Sequence, residues 1–501
     1  MKGLFVLQRR FAYIGHEIAK NLRAQGVADE FCGYVQLRDS YRFLKLQKEL
    51  DYTGLLLDED VQKRYKVEPL DKAFLAKLEA KYGPLSRYIN VDRVVAHGQL
   101  LREYPHDKSP YTKNEQLRLV QVFAKAVEDF LDTERPDFVY GYIFGSMGTL
   151  LLYDMAKKRG IPVITSIVPS TRNLVTFTER YDRLTYVERL VQESKDKPLV
   201  EISGYQNART FLEEFRNKPF VYTQVVLERE NSNTWGQFAF LKPKNFFWSL
   251  YYNSVRIFID WFRDSERRSD YTTVNPFLHI YDRLKRKMRN LRGLEDLYDD
   301  FDTSKKYAFF PLQYEPEMSL LLLAPEATDQ LAVVERIAHA LPDGMRLYVK
   351  EHPGMMSFRP RRYYRALKKI PNVRLVDPAI KGFDLIRHAK LVTVINGTPG
   401  WEAALLGKPV ITFGDIFYNA LSFVGHSRAP DELPALIQKQ LHVKTEDGEL
   451  LRFLAALFED SATLDLMYLW EVETDQEKKR IGLKSFADVL AKKISALAKR
   501  S

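Results

Sequence analysis

Residues 391–414 read LVTVINGTPGWEAALLGKPVITFG, and no other stretch restricts the fold so closely. Leu391 to Ile395 is a short apolar, β-branched run of the kind buried in a parallel sheet. Asn396, Gly397 and Thr398 make a turn. Thr398 predicts an N-cap, Pro399 the first helical position and Gly407 the C-terminal cap. Pro409 to Phe413 is a second strand. The unit is strand, glycine turn, short helix, strand. Such a turn aims backbone N–H groups and the positive end of a helix at one spot, which favours an anion. A tight turn that binds nothing has the same local sequence, so the rest of the chain must decide.

Residues 137–165, DFVYGYIFGSMGTLLLYDMAKKRGIPVIT, have a similar outline. Both stretches hold a G-x-x-G turn (Gly145 and Gly148; Gly397 and Gly400), then a helix, then Pro-Val-Ile-Thr. Two such units predict two Rossmann-like domains with facing parallel sheets; chance recurrence of a generic βαβ unit is the competing reading. The N-terminus fits the first, with a strand at 3–8, a loop at 9–14 and a helix at 15–24. Arg9, Arg10 and His16 then fall near a strand's C-terminal end, where open α/β sheets bind ligands. Arg9 and Arg10 read equally well as solvated.

Residues 40–112 predict inserted helices and loops, with Asp58, Glu59 and Asp60 as a solvated acidic cluster. Thr112 and Glu115 form a capping box. The helix they open carries Leu117, Val120, Phe123, Ala124, Val127 and Leu131 at helical spacing and stops before Pro136. Residues 171–179 read as extended, and Glu179 and Asp182 as carboxylates in a polar setting, placed to face a cleft. In the last third, strands at 307–313, 346–350, 373–376, 391–395 and 409–413 alternate with helices. That is a parallel sheet covered on both faces. Its C-terminal edge gathers Gln313, Lys350, His352 and Asn396–Gly400. Residues 431–501 are helical and charged, with room for a helix to return across the first domain. The expected division is 1–300, 301–430 and 431–501.

The 501-residue length supports two or more cores. One cysteine, Cys32, excludes an internal disulfide and a cysteine metal cluster. The opening MKGLFVLQRRFAY has too short an apolar run for a signal peptide, and no run nears the roughly 18 apolar residues of a membrane span. A cytoplasmic place follows as an expectation. The net charge of +10 suits an anionic partner. With no helix-turn-helix or RNA-binding signature, nucleic acid is not expected. The aromatic stretch 246–262 and the basic run 283–292 have two readings. They lie on an anionic membrane surface at the inner face of the cell membrane, or the aromatic side packs on its own domain. Asp300-Phe301-Asp302 has the spacing of a Mg²⁺ or Mn²⁺ carboxylate pair, but it precedes a clear strand rather than following one and reads as an acidic linker. No metal is expected.

His352 follows a strand end and is held by Pro353. Beside Lys350 and the Gly397–Gly400 turn it suits a departing phosphate: Lys350 gives charge, His352 a hydrogen bond or proton, the turn N–H donors. Glu402, one turn into the helix, reads as a ribose ligand or as a carboxylate answering the helix dipole.

Three tracts resemble the capsule-polysaccharide-synthesis family of bacterial glycosyltransferases, which includes the β-Kdo transferases. They are Phe310-Pro311-Leu312-Gln313, Lys350-Glu351-His352-Pro353, and Asn396-Gly397-Thr398-Pro399-Gly400-Trp401-Glu402-Ala403 with Gly407-Lys408-Pro409-Val410. The resemblance implies a GT-B arrangement, with a nucleotide-sugar donor, often CMP-activated, on the C-terminal domain. The donor is a substrate; no cofactor is implied, and the expected course is inverting and metal-independent. Gln313, His352, Asn396, Gly397, Thr398, Gly400 and Glu402 are the implied donor residues. Arg9, Arg10, Gly145 and Ser146 line the acceptor side. A glycan or glycolipid acceptor needs a base from the N-terminal domain; His16, Glu17, Glu179 and Asp182 are the candidates. Rival readings are a nucleotide-sugar 2-epimerase, a CDP-glycerol-type polymer transferase, and an inactive polysaccharide assembly or export factor.

Overall fold

The computed structural model describes residues 1–8, 11–98, 109–219, 247–248, 251, 257–263, 275–471 and 473–498. Continuous apolar runs form its first sheet: β1 (Lys2–Leu7), β2 (Glu30–Val35), β3 (Tyr52–Leu57), β4 (Phe138–Gly141), β5 (Val163–Ile167) and β6 (Leu174–Thr178). The order is β6-β5-β4-β1-β2-β3. β3, β2, β1, β4 and β5 are parallel, while β6 is antiparallel to β5. The second sheet is β7 (Tyr307–Pro311), β8 (Arg346–Lys350), β9 (Val373–Val376), β10 (Leu391–Val394), β11 (Val410–Thr412) and β12 (Val424–His426). Its order is β12-β11-β10-β7-β8-β9, all parallel. Two Rossmann-like units result.

Local rules hold where the sequence states them fully. Thr112 accepts the Glu115 amide at 3.3 Å while the Glu115 carboxylate accepts the Thr112 amide at 2.8 Å. The helix runs Lys113–Glu134 and ends on Arg135 with φ 45°, just before Pro136. Three expectations need correction. The first helix begins at Phe11, not Gly15, because the Phe11 amide already bonds the Gln8 carbonyl at 2.8 Å. The inserted region supplies β3, a half-exposed strand that the Lys- and Glu-rich composition concealed. Asp58 is buried rather than solvated. It accepts the Tyr34 hydroxyl at 2.7 Å, and desolvation holds its pKa well above the usual carboxylate range. Asp60 does face solvent, 2.5 Å from Arg38.

The chain crosses between the units more than once. After the second sheet, the helix Asp447–Asp460 packs on the helices Thr185–Glu193 and Tyr205–Asn217. β13 (Ala462–Thr463) then adds to β6, and the helix Gln476–Ala498 lies against the helix Phe11–Ala24, burying Phe486, Leu490 and Ile494. Polar bonds lock this return. Arg216 clasps Asp447 at 2.6 and 2.7 Å and the Leu405 carbonyl at 2.8 Å. The buried Trp401 indole donates to Thr171 at 3.0 Å. Trp401, read as part of a ligand motif, thus ties the domains together. The described residues contain no helix long and apolar enough to cross a membrane.

Candidate functional site

The C-terminal edge of the second sheet brings Gln313, Lys350, His352 and Asn396 onto adjacent strand ends. β7 pairs with β8 and β10, so the loops after all three open on one side. Gln313 Nε2 donates to Asn396 Oδ1 at 2.7 Å and to Ser319 Oγ at 3.1 Å. Asn396 Nδ2 returns a bond to the Ser319 carbonyl at 2.8 Å, and Ser319 Oγ donates to Glu317 at 3.0 Å. Glu317 keeps an exposed side chain, but the protein around it withholds solvent and raises its pKa; the Ser319 bond opposes this.

A buried ionic platform fixes this edge from below. Arg359 Nε donates to Glu315 at 2.9 Å, a second nitrogen to Glu351, and a third to the Gln313 carbonyl at 2.9 Å. Arg359, Glu315 and Glu351 are all essentially inaccessible. Glu351 also accepts the His352 amide at 2.6 Å and the Tyr364 hydroxyl at 2.8 Å. Gln330 holds both the amide and the carbonyl of Gln313, at 2.7 and 3.0 Å. Sequence reasoning missed this layer. The signal was Glu351, a carboxylate between the motif residues Lys350 and His352; nothing in the spacing marks Arg359 as its partner.

His352 sits edge-on to Tyr314, with centroids 5.7 Å apart. Its Nδ1 accepts the Gly354 amide at 3.0 Å, which puts the proton of the neutral ring on Nε2. Crowding by the protein desolvates the ring and lowers its pKa from the ordinary value of about 6.5. Glu351 opposes that shift, while Arg359 and Lys350 reinforce it. At pH 7 the ring is thus a neutral Nε2–H donor. Nitrogen-15 NMR of the imidazole should report this tautomer at pH 7 and a midpoint below 6.5. Protonated Nδ1 at pH 7 would contradict it.

The two glycine turns differ in a way that the sequence hid. The helix Met147–Lys158 has its positive end filled: Asp92, buried, accepts the Met147 amide at 3.1 Å. Ser146 is buried and spent on Thr149, its amide 3.0 Å from Thr149 Oγ1. Gly145 has no room for a Cβ, which would lie 2.2 Å from Met318 of the other domain. Gly145 and Ser146 thus form a domain contact and a cap. At the second turn Gly397, not Thr398, is the N-cap, and the helix is Thr398–Leu405. Among the described residues no carboxylate bonds the amides of Gly397 or Thr398. Gly400 is a packing position, since its Cβ would lie 2.5 Å from the Tyr418 hydroxyl, which bonds the Gly397 carbonyl at 2.7 Å. Glu402 is half-buried on this helix.

The four base candidates are not brought to a strand C-terminal edge. His16 is buried with Nδ1 3.2 Å from Tyr52, the first residue of β3, so it lies over the opposite end of the sheet. Glu17 pairs with Lys20 at 3.1 Å. β6 runs antiparallel, so the chain leaves it towards the N-terminal edge. There Glu179 lies 3.8 Å from Arg189, and Asp182 is held by Arg180 at 2.6 and 2.8 Å. Arg9 and Arg10 lie outside the described residues. A cavity of about 530 Å³ lined by Arg180, Arg183, Arg189, Leu421 and Glu449 includes none of the motif residues. Of the acidic linker, Asp299 accepts the Leu375 amide and Lys368, each at 2.9 Å, and Asp302 accepts Ser304 at 2.7 Å.

Residues 255–429, which contain all three motifs, match the family model described as capsule polysaccharide biosynthesis protein. That stretch is similar to the capsule polysaccharide biosynthesis proteins. Protein FixF of Sinorhizobium fredii is 32% identical over 140 residues, 26% of this chain and 32% of FixF. Capsule polysaccharide modification protein LipA of Neisseria meningitidis serogroup B is 30% identical over 112 residues, 22% of this chain and 15% of LipA. The chain therefore matches a third or less of the length of these curated relatives. Among solved structures, the KpsC β-Kdo 2,7 transferase of Thermosulfurimonas dismutans aligns over 72% of this chain and 89% of its own. Identity there is 13% and the TM-score 0.36.

Proposed function

We propose that the protein is a capsule-type glycosyltransferase that moves a sugar from a nucleotide-sugar donor to a surface polysaccharide or glycolipid. The observation that carries this reading is the contrast between the two turns. Asp92 occupies one helix end, whereas the 397–398 amides carry no protein carboxylate among the described residues and lie beside the Gln313–Asn396 network. The donor's phosphates sit at that turn, with Lys350 supplying charge. His352 Nε2–H donates to the leaving phosphate, so it acts as a fixed dipole at the site of developing charge rather than as a proton source. Glu402 accepts from the ribose. Glu317 replaces His16, Glu17, Glu179 and Asp182 as the group to activate the acceptor hydroxyl: it is exposed at the motif edge, has a raised pKa, and adjoins Met318, which touches Gly145. A peripheral place at an anionic membrane surface brings a lipid-linked acceptor to this cleft.

CMP-, UDP-, GDP- and CDP-linked sugars distinguish this reading from its rivals. One donor at about 100 times its Kd should stabilise the protein by about 2.7 kcal/mol. It should then release its nucleotide only when acceptor is added. Release without acceptor would favour an epimerase, and no stabilisation by any donor would overturn the donor site. The anomeric configuration of the product decides between the single displacement expected from the family and a double one.

A further inference from the structure

The helix Pro276–Arg292 is mounted inside out. Asn275 caps it through the Phe277 and Leu278 amides, and Gly293 ends it with φ 61°. Its polar side faces the protein. Asp282 is buried and pairs with Arg286 at 2.9 Å; Arg286 lies 4.7 Å above the Phe358 ring; Arg289 bonds the Phe358 carbonyl at 2.5 Å. Arg361 fastens the far end, 2.7 Å from the Gly293 carbonyl. The apolar side faces outward. Phe277, Tyr281, Leu284, Met288 and Leu291 recur every three to four residues, hence on one stripe. All five are 61–70% exposed. The stripe continues beyond the helix, because Phe258 meets Phe277 edge-on at 5.6 Å and Phe262 is exposed beside it on Ile257–Arg263.

We propose that this helix docks the protein on an anionic lipid surface, lying in the interface plane with the 277–291 stripe inserted. Charge selects the occupant. On a helical projection Lys285 and Arg292 flank the stripe on one side and Arg283 and Lys287 on the other, while the helix's one acidic residue, Asp282, is turned inward. A basic border around an apolar face lets long cationic stems reach lipid phosphates while the stripe enters the acyl boundary. A second copy of the helix on the same stripe would set these basic borders against each other. The membrane part of the reading above is deepened here to a named face, and it does not depend on donor chemistry.

Cosedimentation of the full chain with vesicles tests it. Binding to phosphatidylglycerol–phosphatidylcholine vesicles is expected to exceed binding to pure phosphatidylcholine by at least about tenfold, and to fall with added salt. Leu284→Glu with Met288→Glu, both exposed, should weaken that binding by at least about tenfold at unchanged melting temperature. Donor-induced stabilisation should persist in the double variant, which separates this proposal from the donor site. Equal binding to both vesicle types, or binding indifferent to the double variant, would overturn it. So would a wild-type dimer that the double variant splits without any change in vesicle binding, since the stripe would then be a contact between copies.

Discussion

Arg359→Leu is expected to destabilise the protein by about 3–5 kcal/mol, the usual cost of stranding buried charge. Arg359 is buried, and it is the cation shared by Glu315 and Glu351, which are buried too. Leucine fills part of the volume but leaves two carboxylates facing one another without a counterion. The Gln313 carbonyl also loses its 2.9 Å donor, so the loop that orients the Asn396 amide loosens. The sign can be checked within one series. Adding Glu315→Gln and Glu351→Gln to Arg359→Leu removes the stranded charge and should recover part of the loss, although either glutamine change alone in the wild type is destabilising. Urea unfolding midpoints of the variants measure this. A loss below about 1 kcal/mol for Arg359→Leu would mean that the platform is not an ionic support.

His352→Ala is expected to lower kcat by about 10²–10³-fold, the cost of deleting one preorganised donor to developing charge. Its stability should barely change, because the side chain is exposed and its backbone amide remains tied to Glu351. His352→Gln, which can still present an N–H, should recover part of the rate. Turnover of the donor identified by thermal stabilisation supplies the rate, and the urea midpoint supplies the control. A large drop in midpoint with an unchanged rate would make His352 a structural cap of the Pro353–Met355 turn, where it already accepts the Gly354 amide.

Much of the fold was legible because its signals are local. A capping box needs only residues three apart, and Thr112 with Glu115 forms one. Buried parallel strands favour short runs rich in apolar and β-branched residues, and β1, β4, β7, β8, β10 and β11 all have them. β3 escaped notice because Tyr52–Leu57 is half-exposed within a charged stretch. The burial of Asp58 is not legible locally, because it depends on a partner 24 residues away, Tyr34. The basic run 283–292 was visible in the sequence, but not which side of its helix faces outward. Periodicity gives a stripe without saying whether the stripe or its polar back meets the core.

The motif edge divides in the same way. The sequence by itself determined that 391–414 is a strand, turn, helix and strand, and that Gln313, Lys350, His352 and Asn396 stand at the ends of strands in one parallel sheet. Alternation of parallel strands and helices puts strand-end residues on a common edge whatever else the chain does. Tertiary structure alone decided which glycine turn was already filled, since Asp92 reaches Met147 across 55 residues. It alone decided that Glu179 and Asp182 leave the cleft edge, because the direction of β6 is set by its pairing and not by its composition. The Arg359 platform belongs to the same class: Glu315, 44 residues before Arg359, joins Glu351 and Arg359 in a set of charges that is stable in the interior only when closed, and only the folded chain closes it.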